Sequence, residues 1–232
     1  MAKRRRNDSE YTKYPKQINA KTRNQKDYIL SIVENDITFC FGPSGSGKSF
    51  ISAGISSEHL IHGKTSQIIV TRPLVCAGKN LGAVPGEVSD KVKPYLKPME
   101  ENLRYFLGAE KMAKYIQDEV IRFEPLELMR GASFHHSYMI LDEAQNCTLE
   151  QIKMFITRIG EGSKVLINGD IQQTDLKDGS GLKICVEKLR GIDGVGICEL
   201  NHSDIQRNSI IKSILTALED EQNIFNQNQR RR

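Results

Sequence analysis

The sequence predicts an α/β fold with a mostly parallel, five-stranded sheet and helices on both faces. Two observations carry this prediction: short apolar runs typical of buried parallel strands recur along the chain, and segments with helical periodicity lie between them. Alternating strands and helices build parallel sheets with right-handed crossovers. At 232 residues, the chain is long enough for one such domain with a small insertion.

A glycine-rich loop follows the first predicted strand, residues 37–41. It reads Gly42-Pro43-Ser44-Gly45-Ser46-Gly47-Lys48-Ser49, which matches the P-loop pattern, and a helical segment continues from Phe50. The glycines let backbone N–H groups surround phosphate oxygens, and the start of the helix attracts anions. Lys48 is placed to reach the β- and γ-phosphates, and the Ser49 hydroxyl to bind Mg²⁺. This loop and Phe50 are therefore the predicted nucleotide-binding residues.

The chain on either side of the P-loop supplies the next elements. Helical periodicity begins near Asn24, and residues 67–71 form the second predicted strand, which ends at Arg72-Pro73 because proline stops the ladder. Residues 74–130 are predicted to be an insertion with a long loop, helices over about 88–107 and 109–117, and a candidate extra strand at 119–123. Pro94 and Pro98 are expected to break the first of these helices. A loop this long is usually functional.

The second half of the chain continues the alternation. Strands are predicted at 138–141, 164–167 and 194–198, and a capping box of Thr148 and Gln151 opens the helix after the first of them. Further helices are expected near 181–190 and 209–220. We expect the domain to span residues 24–220, between a flexible basic arm at 1–23 and a polar, disordered tail at 221–232.

Polar residues stand where the later strands end, and ligands of parallel sheets bind at the carboxyl ends of strands. Asp142 directly follows the third strand, as the residue that holds Mg²⁺ in P-loop proteins does. Glu143 is placed to orient and deprotonate a water, which favours hydrolysis over transfer to a substrate hydroxyl. Gly169-Asp170 ends the next strand, and the nearby Gln173 amide is placed to sense the γ-phosphate. An ordinary turn is the alternative interpretation of that last segment.

An arginine often completes a phosphoryl-transfer site, because it meets the charge of the transition state. The candidates are Arg72, Arg130, Arg158 and Arg207, of which Arg158 and Arg207 are preferred. Each is equally consistent with a surface ion pair. Since the chain has one nucleotide domain, such an arginine would act within its own chain or from a neighbouring subunit.

The net charge of +4 is unevenly distributed. Residues 1–26 contain nine Lys/Arg and two acidic residues, and residues 230–232 are all arginine, so residues 27–229 hold 21 basic and 27 acidic residues, a net charge of −6. Basic arms of this kind suit contact with the backbone of RNA or single-stranded DNA. Solubilising, disordered ends explain them equally well.

Composition also excludes some classes of protein. No apolar run approaches 18 residues, so the sequence predicts no membrane span, and no apolar stretch follows the basic N-terminus as it does in a secretory signal. The five cysteines include no C-x-x-C pair and are interpreted as reduced thiols of a cytoplasmic protein.

Eight segments of the chain, taken together, resemble the PhoH-like family, a group of single-domain ATPases similar to the first motor domain of superfamily 1 helicases. The resemblance covers about residues 22–220. Its segments are residues 42–49, 72–87, 94–98, 129–131, 140–146, 153–158, 169–176 and 180–182.

The resemblance implies a RecA-like P-loop NTPase fold, hydrolysis of ATP with Mg²⁺, and a homo-oligomer, such as a hexameric ring with nucleotide at each interface. Gln25 looks like the glutamine that reads adenine in helicases, and Gln145 and Gln173 look like residues that couple the γ-phosphate to nucleic acid. Asn168 departs from the family pattern, which has a small residue there.

The preferred interpretation is an ATPase coupled to RNA or single-stranded DNA. Two alternatives stay open: a P-loop kinase of a small metabolite, and a nucleotide-switched assembly protein with negligible turnover. Glu143 argues against the kinase, because a kinase has no need of a base that activates water.

Overall fold

Six parallel strands form a single sheet in the computed structural model, which describes residues 15–73, 88–173, 176 and 180–206, without side-chain detail at 88–94. The order across the sheet is β3-β2-β4-β5-β1-β6. The strands are β1 (Ile37–Phe41), β2 (Gln67–Arg72), β3 (Ile121–Pro125), β4 (Ser137–Leu141), β5 (Lys164–Gly169) and β6 (Val195–Glu199).

Helices cover both faces of this sheet, as predicted. They are α1 (Arg23–Glu34), α2 (Lys48–Ile61), α3 (Val88–Leu107), α4 (Ala109–Gln117), α5 (Leu149–Ile156) and α6 (Gly181–Lys188). One apolar core packs the four helices α1, α2, α3 and α4 against the sheet, through residues such as Tyr28, Ile55 and Leu103. A second core joins α5 and α6 to the opposite face through residues such as Phe155 and Leu182. The predicted last helix, at 209–220, lies outside the described residues.

The prediction of five strands is wrong by one. The sixth strand, β3, pairs with β2 at the edge of the sheet, with Ile121 opposite Ile68, and it overlaps the candidate extra strand at 119–123. Only the two ends of this strand, Ile121 and Pro125, are buried. A short edge strand with one neighbour is only partly buried and needs few apolar residues, so the hydrophobic pattern that predicts a strand is weak at these positions.

The expected break at Pro94 and Pro98 does not occur, since α3 is one continuous helix. The helix buries Leu96, Met99 and Leu103 along one side, while Pro98 lies on the exposed side. A proline within a helix costs about 3 kcal/mol. Each large apolar side chain that is fully buried returns about 1.5–3 kcal/mol, so the packed face outweighs the prolines.

Asn168, the departure from the family pattern, is fully buried in a polar cluster between α1, α2 and β5. Its Oδ1 accepts from the Tyr28 hydroxyl at 2.7 Å, and its Nδ2 donates to Ser52 Oγ at 2.7 Å. A buried amide is tolerated when its hydrogen bonds are made, and here both ends are satisfied. Within the described ranges, no helix is long and apolar enough to cross a membrane.

Candidate functional site

The P-loop connects β1 to α2 and depends on glycine at two positions. A Cβ on Gly42 would lie 2.1 Å from the backbone oxygen of Leu200, so the chain beyond β6 packs directly on this residue. Gly47 has φ of 102° where it caps α2, in the left-handed region that L side chains rarely adopt. Both glycines therefore serve the shape of the loop that leads into α2.

Lys48 folds over the loop that precedes it. Its Nζ donates to the backbone oxygens of Gly42 at 2.5 Å and Pro43 at 3.0 Å. The ammonium thus lies among the loop carbonyls, at the start of α2, where the helix dipole also favours an anion. The Ser46 hydroxyl donates to Pro43 O at 2.8 Å and fixes the turn of the loop.

Ser49 and Asp142 come from distant parts of the sequence and meet in space. Ser49 Oγ donates to Asp142 Oδ1 at 2.7 Å, and the Asp142 backbone N–H donates to Thr71 O at 3.0 Å, which fixes the aspartate beside β2. Burial raises the pKa of Asp142, although the hydrogen bond from Ser49 and the positive charge of Arg72 oppose this shift. A hydroxyl and a carboxylate oxygen together are a donor set that Mg²⁺ prefers.

Glu143 adopts a strained backbone conformation. Its φ of 56° and ψ of 38° lie in the left-handed region, which is rare for a residue with a side chain. Its Oε1 lies 3.2 Å from Arg72 Nη2, and its Oε2 accepts from Gln145 Nε2 at 2.6 Å. The glutamate is therefore held at a defined position next to Asp142.

Gln145 connects this acidic pair to the end of β5. Its Oε1 accepts from the Asp170 backbone N–H at 3.0 Å, while its Nε2 binds Glu143. Beyond β5, the Gln172 backbone N–H donates to Asp170 Oδ1 and the Gln173 backbone N–H to Asp170 O. The ends of β4 and β5 are thus joined by hydrogen bonds, as the strand-end argument anticipated.

Gln25 lies on the other side of the P-loop and is only 3% exposed. Its Nε2 donates to Ser46 O at 2.8 Å and to Asp204 O at 3.4 Å, and its Oε1 accepts from Lys21 N at 2.8 Å. Both amide hydrogens are therefore used within the protein. In this arrangement, Gln25 joins the N-terminal turn to the P-loop.

Asp204, which the sequence did not single out, holds the chain beyond β6 against the start of α1. It is fully buried, and its carboxylate accepts from the Thr22 hydroxyl, from Asn24 Nδ2 and from Asn201 N. Thr22 and Asn24, at the start of α1, lie 182 and 180 residues away from Asp204 along the chain, so no local sequence pattern predicts the contact.

A cavity of about 550 Å³ extends along the P-loop. The residues singled out in the sequence that line it are Gln25, Ser44, Gly45, Gly47, Lys48, Ser49, Phe50, Asp142, Glu143, Gln145, Gly169, Asp170 and Gln173. Gly42, Pro43 and Ser46 belong to the same loop but do not contribute to the lining, and Arg207 lies outside the described residues. The structure therefore brings together the P-loop and both strand-end motifs.

Five lining residues were missed by the sequence reasoning: Ile18, Asn19, Ile51, Asn102 and Gln206. Asn102 is one turn before Phe106 on α3, and the Phe106 ring packs on Phe50 of α2 with centroids 4.8 Å apart. Ile18 packs over α2 at Gly54. Asn19 and Asn102 belong to no recognisable motif, and the packing of α3 on α2 brings Asn102 to the cavity.

The arginine candidates occupy different surroundings. Arg72 pairs with Glu143 at the edge of the site. The Arg158 guanidinium donates to the backbone oxygens of Ala132 and Met154 and is not among the cavity-lining residues. Arg130 is an exposed residue after a 3-10 turn. Of the candidates in the described ranges, only Arg72 contacts a predicted site residue.

Comparison with known proteins finds the same family that the motifs indicated. The family model described as "PhoH-like protein" matches residues 17–219. A PhoH-like protein of Bacillus subtilis is 42% identical over 210 residues, which cover 90% of this chain and 66% of that protein. Protein PhoH of Escherichia coli K12 is 39% identical over 204 residues, covering 86% and 58%. The chain thus spans about three fifths of the length of these relatives.

Among solved structures, the bacteriophage T4 helicase UvsW matches with 13% identity and a TM-score of 0.47, over 81% of this chain and 62% of that one. The large terminase of bacteriophage HK97 matches with 17% identity and a TM-score of 0.49, over 80% and 40%.

The predicted P-loop NTPase fold is confirmed. The sheet is parallel with helices on both faces, the insertion follows β2, and the P-loop connects β1 to α2. Since the family model covers most of its length, the chain belongs to the PhoH-like family.

Proposed function

We propose that this protein hydrolyses ATP in a Mg²⁺-dependent reaction at the cavity beside the P-loop. One observation carries the proposal: Ser49 Oγ and Asp142 Oδ1 lie 2.7 Å apart at the start of α2, next to Lys48. The two residues are 93 positions apart in sequence, and a hydroxyl and a carboxylate beside a P-loop support the binding of a cation next to phosphates.

The phosphates would be bound by the loop from Gly42 to Ser49. Its backbone N–H groups would supply the donors, and Gly42 and Gly47 hold the loop in a shape that a side chain at either position would disturb. Lys48, which now donates to Gly42 O and Pro43 O, would exchange these neutral acceptors for charged β- and γ-phosphate oxygens. Charge-assisted hydrogen bonds are the stronger ones, so the exchange favours the nucleotide.

Ser49 and Asp142 would hold Mg²⁺, because hydroxyl and carboxylate oxygens match the hard cation. When bound, the ion supplies positive charge to the β- and γ-phosphate oxygens. Burial disfavours the ionised form of Asp142, and a cation beside it offsets that penalty. The residues present therefore fit the ion.

Glu143 would act as the general base that takes a proton from the attacking water, and Gln173 would contact the γ-phosphate from the end of β5. Gln145 connects the two, since it binds Glu143 through Nε2 and the Asp170 backbone through Oε1. Arg207 would add positive charge, acting from its own chain or from a neighbouring subunit.

The base would lie at the other end of the cavity, against Phe50. Gln25 is kept as a candidate for contact with adenine, and its main contacts hold the P-loop in place. Asn19 and Asn102 line the same region, and an asparagine amide matches the donor and acceptor on the edge of adenine.

The test is Glu143→Gln, which removes the base and leaves the shape of the site. We expect ATP to bind as in the wild type while phosphate release falls by on the order of 100-fold or more, because a general base typically contributes at least that factor. Lys48→Ala serves as the matched control that loses binding itself. Hydrolysis that survives Glu143→Gln contradicts the role of Glu143, and a γ-phosphate that appears on a small molecule would support a kinase.

We further propose that hydrolysis is coupled to RNA or single-stranded DNA, that the protein works as a homo-oligomer such as a hexameric ring, and that it is cytoplasmic. Support comes from the basic residues concentrated at 1–26 and 230–232 and from the family. ATPase assays with and without single-stranded RNA test the coupling. Stimulation should weaken as salt rises, and no stimulation or binding at low salt would exclude it. Native mass measurement with an ATP analogue tests the assembly.

A further inference from the structure

Arg72 connects two parts of the molecule through two different nitrogens. Its Nη2 lies 3.2 Å from Glu143 Oε1, and its Nη1 donates to the backbone oxygen of Tyr95 at 2.9 Å. Arg72 is the last residue of β2, whereas Tyr95 belongs to α3, in the insertion between β2 and β3. The side chain therefore links the proposed general base to the insertion.

The sheet register makes this link possible. Thr71 lies opposite Leu141 where β2 and β4 pair, so the next residues of the two strands leave the sheet side by side. The Asp142 backbone N–H bonds to Thr71 O, which holds the two strand ends together. Arg72 is thus positioned by the same pairing that positions Asp142 and Glu143.

Both carboxylate oxygens of Glu143 are engaged. Arg72 holds Oε1, and Gln145 Nε2 donates to Oε2 at 2.6 Å. The backbone of Glu143 is also in the left-handed conformation, which persists only where the surroundings hold it. An oxygen in a charge-assisted contact with a guanidinium is poorly available to a water that must give up its proton.

We propose that Arg72 is a positioning residue that restrains Glu143, and that displacement of α3 relative to β2 releases the base. The insertion would thereby regulate hydrolysis, because the helix that carries Tyr95 also carries Asn102 and Phe106, which lie at the cavity or pack on Phe50. This inference rests on the proposed ATP hydrolysis.

The first test is the steady-state kinetics of Arg72→Ala. We expect kcat to rise about two- to fivefold with KM unchanged, because a partly exposed ion pair contributes up to about that factor. Arg72→Lys retains the charge, but a single ammonium does not reproduce the planar guanidinium. Its kcat should therefore lie between that of the wild type and that of Arg72→Ala. Arg104→Ala is the matched control, because Arg104 is an exposed arginine of α3 that pairs with Glu100 one turn earlier and not with Glu143.

The second test reads the link to α3 directly. Hydrogen exchange of peptides from residues 95–107 is measured with and without a non-hydrolysable ATP analogue. A change in the wild type that is lost in Arg72→Ala supports the proposal, whereas an equal response in both proteins overturns it.

A fall in kcat for Arg72→Ala, a change in KM alone, or the same effect from Arg104→Ala also overturns the restraint. These outcomes are distinct from failure of the proposed function. If the wild type releases no phosphate from ATP, the proposed hydrolysis itself is excluded, and if the release survives Glu143→Gln, only the role of Glu143 as the base is excluded. The restraint falls in both cases. If that activity is present and Arg72→Ala leaves kcat unchanged, only the restraint is excluded.

Discussion

The two ends of the cavity differ in how their polar side chains are used. At the phosphate end, Lys48 binds loop carbonyls, Ser49 binds Asp142, and Glu143 binds Arg72 and Gln145. At the proposed base end, no protein group of the described ranges hydrogen-bonds to the side chains of Asn19 and Asn102, which line the cavity together with the aromatic Phe50.

This difference indicates a division of work. The phosphate end is held in place by its own hydrogen bonds, so a ligand meets groups that are already oriented, and this limits the entropy lost on binding. The proposed base end has an aromatic surface and two amides that no group of the described ranges binds, so under the proposed function their hydrogen bonds would form with the ligand. Changes at the phosphate end should therefore affect every phosphate ligand, whereas changes at the base end should affect only the choice of base.

Lys48→Ala should have the largest effect. Loss of a charged hydrogen bond to phosphate should lower the affinity for ATP by on the order of 100-fold. The affinity for tripolyphosphate, which has no base, should fall by the same factor when measured by calorimetry. Lys153→Ala, on α5 across the sheet, is the control. If only ATP weakens, the division between the two ends is wrong.

Gly42→Ala should disturb the phosphate end through the fold. The new methyl group would lie 2.1 Å from Leu200 O, and overpacking of this kind costs about 1–3 kcal/mol beyond the strain of a positive φ. Gly63→Ala is a matched control, because Gly63 also has a positive φ, of 67°, but nothing lies within 4 Å of its added Cβ. Urea unfolding should show Gly42→Ala to be the less stable variant by about 2 kcal/mol. Equal stabilities would contradict the close packing of Leu200 on the loop.

Asn102→Ala and Asn19→Ala should act on the base end alone. Loss of one neutral hydrogen bond should reduce the preference for ATP over GTP by about fivefold. Affinity for tripolyphosphate should stay at the wild-type value, which is the internal control. An unchanged ratio of ATP to GTP affinity in both variants would remove the asparagines from base recognition and return that role to Gln25.

Asp142→Asn should have the smallest effect on stability and a characteristic pH dependence. Burial raises the pKa of Asp142 above its ordinary value of 3.8, so the folded protein binds this proton more tightly than the unfolded chain. The wild type is therefore stabilised by protonation at low pH and loses that contribution as pH rises from about 3.8 through the raised pKa. Asparagine does not titrate. In metal-free buffer, the free energy of unfolding of the variant minus that of the wild type should therefore be larger at pH 7 than at pH 4.

Unfolding midpoints of both proteins across this pH range measure the difference, with the exposed Asp193→Asn as the control. A difference between the two proteins that does not change with pH would contradict the stated effect of burial on Asp142. In either case, Asp142→Asn should lose Mg²⁺-dependent hydrolysis.

The parts that sequence reasoning predicted well are those with local signatures. The P-loop, the strand-end Asp142-Glu143 pair and the capping box at Thr148 and Gln151 each lie within a few residues, and the structure contains all three motifs where they were expected. Their patterns are visible because the backbone itself demands particular residues at particular spacings.

The parts that it missed depend on contacts between distant segments. Whether the prolines of α3 break the helix depended on how well Leu96, Met99 and Leu103 pack. The edge strand β3 became part of the sheet only through its pairing with β2. In α3 the burial of apolar side chains outweighed the local preference, and in β3 the pairing with a neighbouring strand did.

The sequence by itself determined the fold class, the family and the positions of the P-loop and the paired acids, because glycine, lysine, serine and acidic residues follow a pattern along the chain. Only the tertiary structure decided that Arg72 holds Glu143, that Gln25 is engaged by Ser46 and Lys21, and that Asn102 reaches the cavity. The physical reason is that these contacts join different elements. Their partners are chosen by strand register and helix packing, which no short stretch of sequence encodes.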